Sequence, residues 1–392
     1  MQLSKAKTKQ TALILDLLYS KGPLSRIDIS KSLHITPATV SDLTQHLIND
    51  KIICEIGEDT DNTRVGRRKI LLGLLPNHSY YLGVELFEHS FTLALSDNLN
   101  EICFEEAFTL SKSDHVRHDL LVKTINDFLK KHSDTAVTSI GIAIPGHYDK
   151  TSAHILTNNH SWANFSLDYL KKHLKYPVYF ENNVNAMAIR ERLFGHDKTD
   201  ANFLFLHFRR GIFCSYVYQG DLYARNNYFV GEIGHLVVNP FGEQCECGKI
   251  GCLQTYASQT WLLHKASLLF NSSANTYLKQ LVNEEHELSM DILLQAYHLG
   301  DSAVIQLLEN AINFLAIALN NIIVTLDTDI IYLHGQLFDD EQLSALLLNK
   351  IREHDSEFIS RQTIQKEIKP YSKANGARAA CALAISETLL CQ

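Results

Sequence analysis

The 392-residue chain has no long apolar run: nowhere do 18 apolar residues follow one another, which a membrane-spanning helix needs, so no membrane segment is expected. Its N-terminus lacks the basic stretch and apolar core of a secretory leader. Low-complexity segments are absent. Cysteine is sparse, and eight residues in a chain of this length do not make a disulfide scaffold. Three of them crowd into residues 245–252, which points to a metal in a reducing, cytoplasmic compartment. What is present is ordinary: 45% hydrophobic and 20% charged residues describe a soluble globular protein, long enough for two or three domains with large cores.

Charge is unevenly spread. Residues 1–75 hold eleven Lys and Arg against eight Asp and Glu, and the remainder holds 25 against 36. A basic head on an acidic body suggests that only the head meets a polyanion. Ala12, Leu13, Leu15, Leu17 and Leu18 predict a short packed helix over residues 8–20, ended by Gly22-Pro23. Ser25 reads as an N-cap, with Asp28 three residues on and Ile27, Ile29 and Leu33 facing inward. Thr36 caps the next helix and Pro37 opens it. This helix, running to about Asp50, gives Val40, Leu43, Leu47 and Ile48 to a core. Its outer face carries Thr39, Ser41, Asp42, Gln45 and His46. Two helices joined by a short turn, the second polar outside, predict a helix-turn-helix; a plain three-helix packing module is the alternative. Against that alternative, residues 51–58 and 69–74 read as two strands flanking a basic loop with Arg64, Gly66, Arg67 and Arg68. Such a loop suits a narrow, A·T-rich minor groove. The candidate DNA contacts are Ser25, Arg26, Thr36, Pro37, Thr39, Ser41, Asp42, Gln45, His46 and these loop residues.

Residues 231–254 carry the other strong pattern. His235, Cys245, Cys247 and Cys252 stand at H-x9-C-x-C-x4-C spacing. One imidazole and three thiolates suit a tetrahedral zinc ion, and Gly248 and Gly251 allow the tight turn that gathers them. Four protein ligands leave no open position, so this Zn2+ is expected to be structural. Buried free cysteines are the alternative reading. The stretch Gly231-Glu232-Ile233-Gly234-His235 with its cysteine run resembles the zinc signature of the ROK family, repressors and sugar kinases that share one sugar-binding fold. The head, with its Gly-Arg-Arg segment, resembles the winged helix-turn-helix of that family's repressors.

The resemblance implies an α/β architecture, an N-terminal winged helix-turn-helix (residues 1–75) followed by a two-lobed sugar kinase/Hsp70/actin-like, ribonuclease-H-like body. The first lobe would span 76–200, with a C-terminal helix at 375–392 packing back on it. The second would span 201–374 and carry the zinc segment 235–252. Local patterns agree with such lobes. Two strands are read in 80–96, a third in 101–109, a helix in 116–132 and a buried strand in 139–144. A strand at 176–181 and a helix at 184–194 follow. The pattern restarts with a strand from Phe203 to Val217, another from Leu222, and a late one at 330–334.

In the family's kinases, glycine-rich turns hold ATP and an aspartate takes the proton of a sugar hydroxyl. This chain departs at each point. Glu85-Leu86-Phe87-Glu88-His89 stands where Asp-x-Gly-Gly-Thr is usual, and Arg210-Gly211-Ile212-Phe213-Cys214 where Gly-Thr-Gly is. In Glu181-Asn182-Asn183-Val184-Asn185-Ala186, Asn183 takes the aspartate's place. An amide is no general base, and losing such a base costs about 10²–10⁴-fold. No catalytic residue, no ATP and no enzyme activity are therefore expected. The sugar side is better kept: Gly146, Asn158, Asn182, Asn183, Glu232 and His235 match sugar-facing positions, and Gln254 replaces a usual glutamate. Plain loop caps are the alternative reading, strongest for Asn158 and Asn185.

Together these readings predict a regulator, a repressor of carbohydrate uptake or catabolism genes. It would act as a homodimer or homotetramer on a double-stranded DNA operator with an inverted, A·T-rich repeat. A small carbohydrate, bound without phosphorylation, would control it. A kinase with an added head, or a regulator answering to a protein partner, are the alternatives.

Overall fold

A computed structural model describes residues 4–58, 69–111, 113–149, 151–157, 159–195, 202–272, 275–353 and 364–391. The chain divides into two compact units, Met1–Thr199 with Lys373–Gln392, and Asp200–Ser372.

The first unit begins with α1 (Lys5–Lys21), β1 (Leu24–Ser25), α2 (Arg26–Leu33), α3 (Pro37–Asn49), β2 (Ile53–Glu58) and β3 (Ile70–Leu74). Each helix starts where a short polar side chain replaces a missing backbone partner. Ser4 accepts from Lys7 N–H, Ser25 from Asp28 N–H and Thr36 from Thr39 N–H, with Pro37 at the first helical position of α3. Such caps contribute about 1 kcal/mol each. Val40, Leu43, Thr44 and Leu47 turn inward from α3, and the three strands pair antiparallel in the order β1-β3-β2. The basic loop with Arg64, Gly66, Arg67 and Arg68 lies outside the described residues.

The chain continues through β4 (Tyr80–Phe87), β5 (Ser90–Asp97), β6 (Ile102–Thr109), α4 (His118–Lys131), β7 (Val137–Ile144), β8 (His147–Asp149), β9 (His154–Leu156), α5 (Leu167–His173), β10 (Val178–Asn182) and α6 (Asn183–Phe194). The main sheet runs β10-β7-β4-β5-β6; β4, β7 and β10 are parallel, and β5 and β6 antiparallel. Residues 147–156, unread in the sequence, form the small hairpin β8–β9. The first helix is fastened to this part of the unit. Tyr19 Oη donates to Asn98 O at 2.8 Å, and the Arg192 guanidinium of α6 pairs with Asp16.

The second unit holds β11 (Phe203–Phe208), β12 (Ile212–Tyr218), β13 (Asp221–Leu222), α7 (Gln254–Ala257), α8 (Gln259–Ser272), α9 (Leu278–Leu281), α10 (Met290–His298), α11 (Ser302–Ile323), β14 (Ile330–His334), α12 (Glu341–Glu353) and β15 (Gln365–Lys369). Its sheet runs β13-β12-β11-β14-β15. The single strand expected from Phe203 to Val217 is two: the chain reverses at residues 209–211, where Arg209 N–H donates to Gly211 O at 3.0 Å, and β11 and β12 pair as a hairpin. Apolar residues on both sides of the reversal hide it from a periodicity reading. By length and composition α11 alone among the described helices could cross a membrane. Val304, Leu308, Ile312, Leu315, Leu319 and others place its apolar face in this unit's core.

The chain then returns to the first unit as α13 (Asn375–Ile385), whose small residues let backbone meet backbone. A Cβ at Gly83 of β4 would lie 2.0 Å from Ala377 O, and one at Gly141 of β7 2.0 Å from Ala380 O.

In the second unit His207 and His334 sit opposite each other on β11 and β14, Nδ1 to Nδ1 at 2.8 Å, both buried. Burial, with His334 beside it, holds the His207 imidazole well below its usual range. The folded state thus keeps this ring neutral where the unfolded chain protonates, below about pH 6.5. The unfolded state binds more protons there, so stability falls as pH falls, by up to about 1.4 kcal/mol per pH unit. We expect the urea midpoint to drop between pH 7 and pH 5.5, and His207→Asn to flatten that slope; equal slopes would refute the assignment.

Candidate functional site

The head presents one polar face. On α3, Thr36, Pro37, Ser41, Asp42, Gln45 and His46 are exposed and Thr39 half-buried. Gln45 Nε2 donates to Asn49 Oδ1 at 3.1 Å, and Asp42 pairs with Lys7 at 2.7 Å and His46 at 3.6 Å. Those pairs hold Asp42 below its usual carboxylate range, the Lys7 contact foremost. Two expected contacts are built inward instead. Ser25 is 2% exposed and its hydroxyl donates to Asp28 Oδ2 at 2.6 Å, so it positions α2 rather than meeting a ligand. Arg26 donates to Thr44 Oγ1 at 3.1 Å and pairs with Glu55 at 3.0 Å, which fastens α2 to α3 and β2. The capping pattern that identified both residues does not reveal which way a side chain faces.

In the first unit's body, β10 runs into α6 through Asn182 and Asn183. Asn182 Oδ1 accepts from Val184 N–H at 2.8 Å and Asn185 N–H at 3.2 Å, and its Nδ2 donates to Gly146 O at 2.9 Å. Three of the amide's four hydrogen-bonding positions are thus spent within the protein, leaving one N–H for a ligand. Gly146 adopts φ +124°, and a Cβ there would lie 2.5 Å from Leu156 O, so only glycine fits this approach. Asn183 is half-buried, and its Oδ1 accepts from Val184 N–H at 3.1 Å. Glu181, not singled out from the sequence as a site residue, is buried and accepts from Asn185 Nδ2 at 3.0 Å, stiffening the same junction. Asn158 lies outside the described residues.

In the second unit the segment around residues 231–254 folds as a set of tight turns. Gly231, at φ +97°, passes so close to β12 that a Cβ would lie 2.4 Å from Cys214 O. Glu232, half-buried, follows it at the head of the 3-10 turn Ile233–His235. Gly248, at φ +87°, closes the turn in which Gly248 N–H donates to Cys245 O at 2.9 Å. Gly251, at φ +76°, has no room for a side chain: a Cβ would lie 1.5 Å from Asn239 O. These turns bring His235, Cys245, Cys247 and Cys252 together, with one ligand atom from each within 4.8 Å of the others. Cys245 Sγ is 3.5 Å from His235 Nδ1 and Cys247 Sγ 3.6 Å from Cys252 Sγ. Tetrahedral zinc with Zn–S near 2.3 Å has edges of about 3.7 Å, so the donor set fits the ion in chemistry and spacing. Burial raises the Cys245 thiol and pushes that of Cys252 up to about 12; a bound cation is what makes such thiols thiolates.

With His235 Nδ1 turned to the cysteines, Nε2 is the nitrogen left over. Gln254 is buried, and its Nε2 donates to Glu246 Oε1 at 2.7 Å. The sequence reading did not find Glu246, since nothing in a C-x-C spacer marks it. The pair explains a glutamine here: a glutamate would set two carboxylates against each other.

Comparison with known proteins gives these features a context. The ROK family model matches residues 81–387. The xylose repressor of Bacillus subtilis (strain 168) is 27% identical over 378 residues, covering 95% of this chain and 93% of that protein. NagC of Escherichia coli (strain K12), described as a DNA-binding transcriptional dual regulator, is 27% identical over 259 residues, 64% of this chain and 63% of its own length. Among solved structures, a ROK family transcriptional regulator described as a homologue of E. coli MLC superposes with a TM-score of 0.79 at 23% identity. It covers 99% of this chain and 98% of its own. A ROK family glucokinase from Streptomyces griseus, in complex with glucose and AMPPNP, superposes with a TM-score of 0.64 at 21% identity, covering 78% of this chain and 99% of its own. The fold is therefore the one that ROK regulators and sugar kinases share, and the chain belongs to the ROK family.

Proposed function

We propose that this protein is a sequence-specific DNA-binding regulator, a repressor of carbohydrate uptake or catabolism genes, which binds a small sugar without phosphorylating it. The observation that carries this reading is the reach of the likeness. Relatives named as repressors align over nearly the whole chain, head included, whereas the glucokinase is itself matched almost entirely and leaves about a fifth of this chain without a counterpart.

The chemistry supports the same reading. α1–α3 and the strands β1–β3 act as a winged helix-turn-helix, with α3 as recognition helix in the major groove and the loop of Arg64, Gly66, Arg67 and Arg68 as a minor-groove wing. The candidate sugar contacts are Gly146, Asn182 and Asn183, with Asn158, in the first unit, and Glu232, His235 and Gln254 in the second. Phe87, Glu88 and Asn183 deny the family's phosphoryl transfer its glycine turn and its base. His235, Cys245, Cys247 and Cys252 hold a structural zinc ion whose chemistry here is to brace Glu232. Helix α6 offers a route from sugar to DNA: it starts at the Asn182 cap and ends with Arg192 on Asp16 and Phe194 edge-on to Tyr19 at 5.6 Å, both residues of α1.

The test combines selection and turnover. Duplexes selected from a random library by the purified chain are expected to carry an inverted repeat, read by a homodimer or homotetramer. One sugar from a panel of mono-, di- and phosphosugars should change operator affinity at least tenfold, which asks for only about 1.4 kcal/mol of preference between two states. A single unrepeated site, or ATP-dependent formation of a sugar phosphate, would overturn the proposal.

A further inference from the structure

The two-residue turn between β4 and β5 consists of Glu88 and His89, with Phe87 paired to Ser90 across it. The segment before α4 is clamped onto this turn by its backbone. Leu110 N–H donates to His89 O at 2.7 Å and Val116 N–H to Glu88 O at 3.1 Å. His115 is thereby brought beside His89, with ring centroids 5.0 Å apart and planes 29° from parallel. His89 Nε2 and His115 Nδ1 each stand 3.8 Å from the same carboxylate oxygen, Glu88 Oε1.

The hydrogen bonds around this group fix its chemistry. His89 Nδ1 lies 2.7 Å from Asp114 O. A carbonyl oxygen only accepts, so Nδ1 carries the proton, and in the neutral ring Nε2, 3.8 Å from Glu88 Oε1, is the nitrogen with the lone pair. An imidazole that donates one N–H to a backbone carbonyl and offers its other nitrogen is held as metal-binding histidines are held. The carboxylate is oriented too: Ser161 Oγ donates to Oε1 at 2.5 Å and Asn159 Nδ2 to Oε2 at 3.2 Å. The three ligand atoms lie within 4.8 Å of one another. A tetrahedral N/O site has edges of about 3.4 Å, a distance that rotation of the exposed His115 closes.

We propose that Glu88, His89 and His115 form a second metal site, distinct from the cysteine cluster in both ligands and location. It takes a divalent ion of the zinc, cobalt and nickel class, with water completing the shell. Two imidazoles and one carboxylate favour these ions over magnesium or calcium, which prefer all-oxygen shells. An ion here ties the β4–β5 turn, the segment before α4 and the Asn159–Ser161 loop to one centre. The inference does not depend on the regulatory reading above.

Cobalt tests it on the full-length protein. Titration of the zinc-loaded chain with Co2+, followed by calorimetry and visible absorption, should show one further equivalent with ligand-field bands and no thiolate-to-cobalt charge transfer. His89→Ala and His115→Ala should each weaken that equivalent by at least about 100-fold, and Cys247→Ser should retain it. Both histidines lie at the surface, so unchanged melting of the metal-free variants serves as the control for folding. Absence of this equivalent in the wild-type chain, or its survival in both histidine variants, would overturn the proposal.

Discussion

Cys247→Ser is expected to strip the protein of its zinc and to unfold the segment that carries Glu232. Cys247 is the informative ligand because it is exposed while Cys245 and Cys252 are buried. Replacing it removes a ligand and almost no packing, so any loss of stability reports the metal. The effect should be largest at the outer part of the segment, where Phe241 is 95% and Ile250 51% exposed, while Ile233 and Leu253 anchor its two ends in the core. Apparent zinc affinities in small structural sites correspond to about 10–16 kcal/mol. Atomic absorption should give one zinc per chain in wild-type protein and almost none in Cys247→Ser, with a matching fall in melting temperature. Well under one zinc in freshly purified wild type would refute the assignment.

The second large effect is expected from Glu232→Ala. Its carboxylate follows Gly231, pinned against β12, and stands three residues before His235 of the cysteine–histidine cluster, so both ends of a short turn hold it in place. A carboxylate so fixed can accept from two neighbouring hydroxyls, and hydrogen bonds to a charged group are worth about 1.5–3 kcal/mol each. Losing two of them should weaken sugar binding by more than about 100-fold. Glu232→Ala should therefore bind operator like wild type without sugar and no longer respond when the cognate sugar is added. Calorimetry with the sugar and a DNA titration with and without it check both halves. An unchanged sugar response would remove Glu232 from the site.

Much of the molecule is legible locally because its signals are local. Ser25 and Thr36 mark helix starts through hydrogen bonds that span three residues, and Pro37 through its fixed φ; the structure has both caps. The gathering of His235, Cys245, Cys247 and Cys252 could be read from spacing because four donor groups within 18 residues need only tight turns, which Gly248 and Gly251 supply. The reversal at residues 209–211 was missed because apolar strands flank it on both sides. That Ser25 is spent inward and that Asn182 clamps Gly146 were also invisible, since a sequence shows which groups a side chain carries and not what meets them.

By itself the sequence determined the helix caps of the head, the alternation of strands and helices and the cluster of thiols. Each depends on residues near one another along the chain or on the chemistry of a single side chain. Only the tertiary structure decided the rest. It returns α13 to a sheet begun some 290 residues earlier, which Gly83 and Gly141 permit by giving up their side chains. It sets Gln254 against Glu246, faces His207 with His334 across paired strands, and brings His115 to Glu88 and His89. In each case the partners are chosen by which backbones pack together, and that choice follows from burying two whole cores, a property no short stretch of sequence contains.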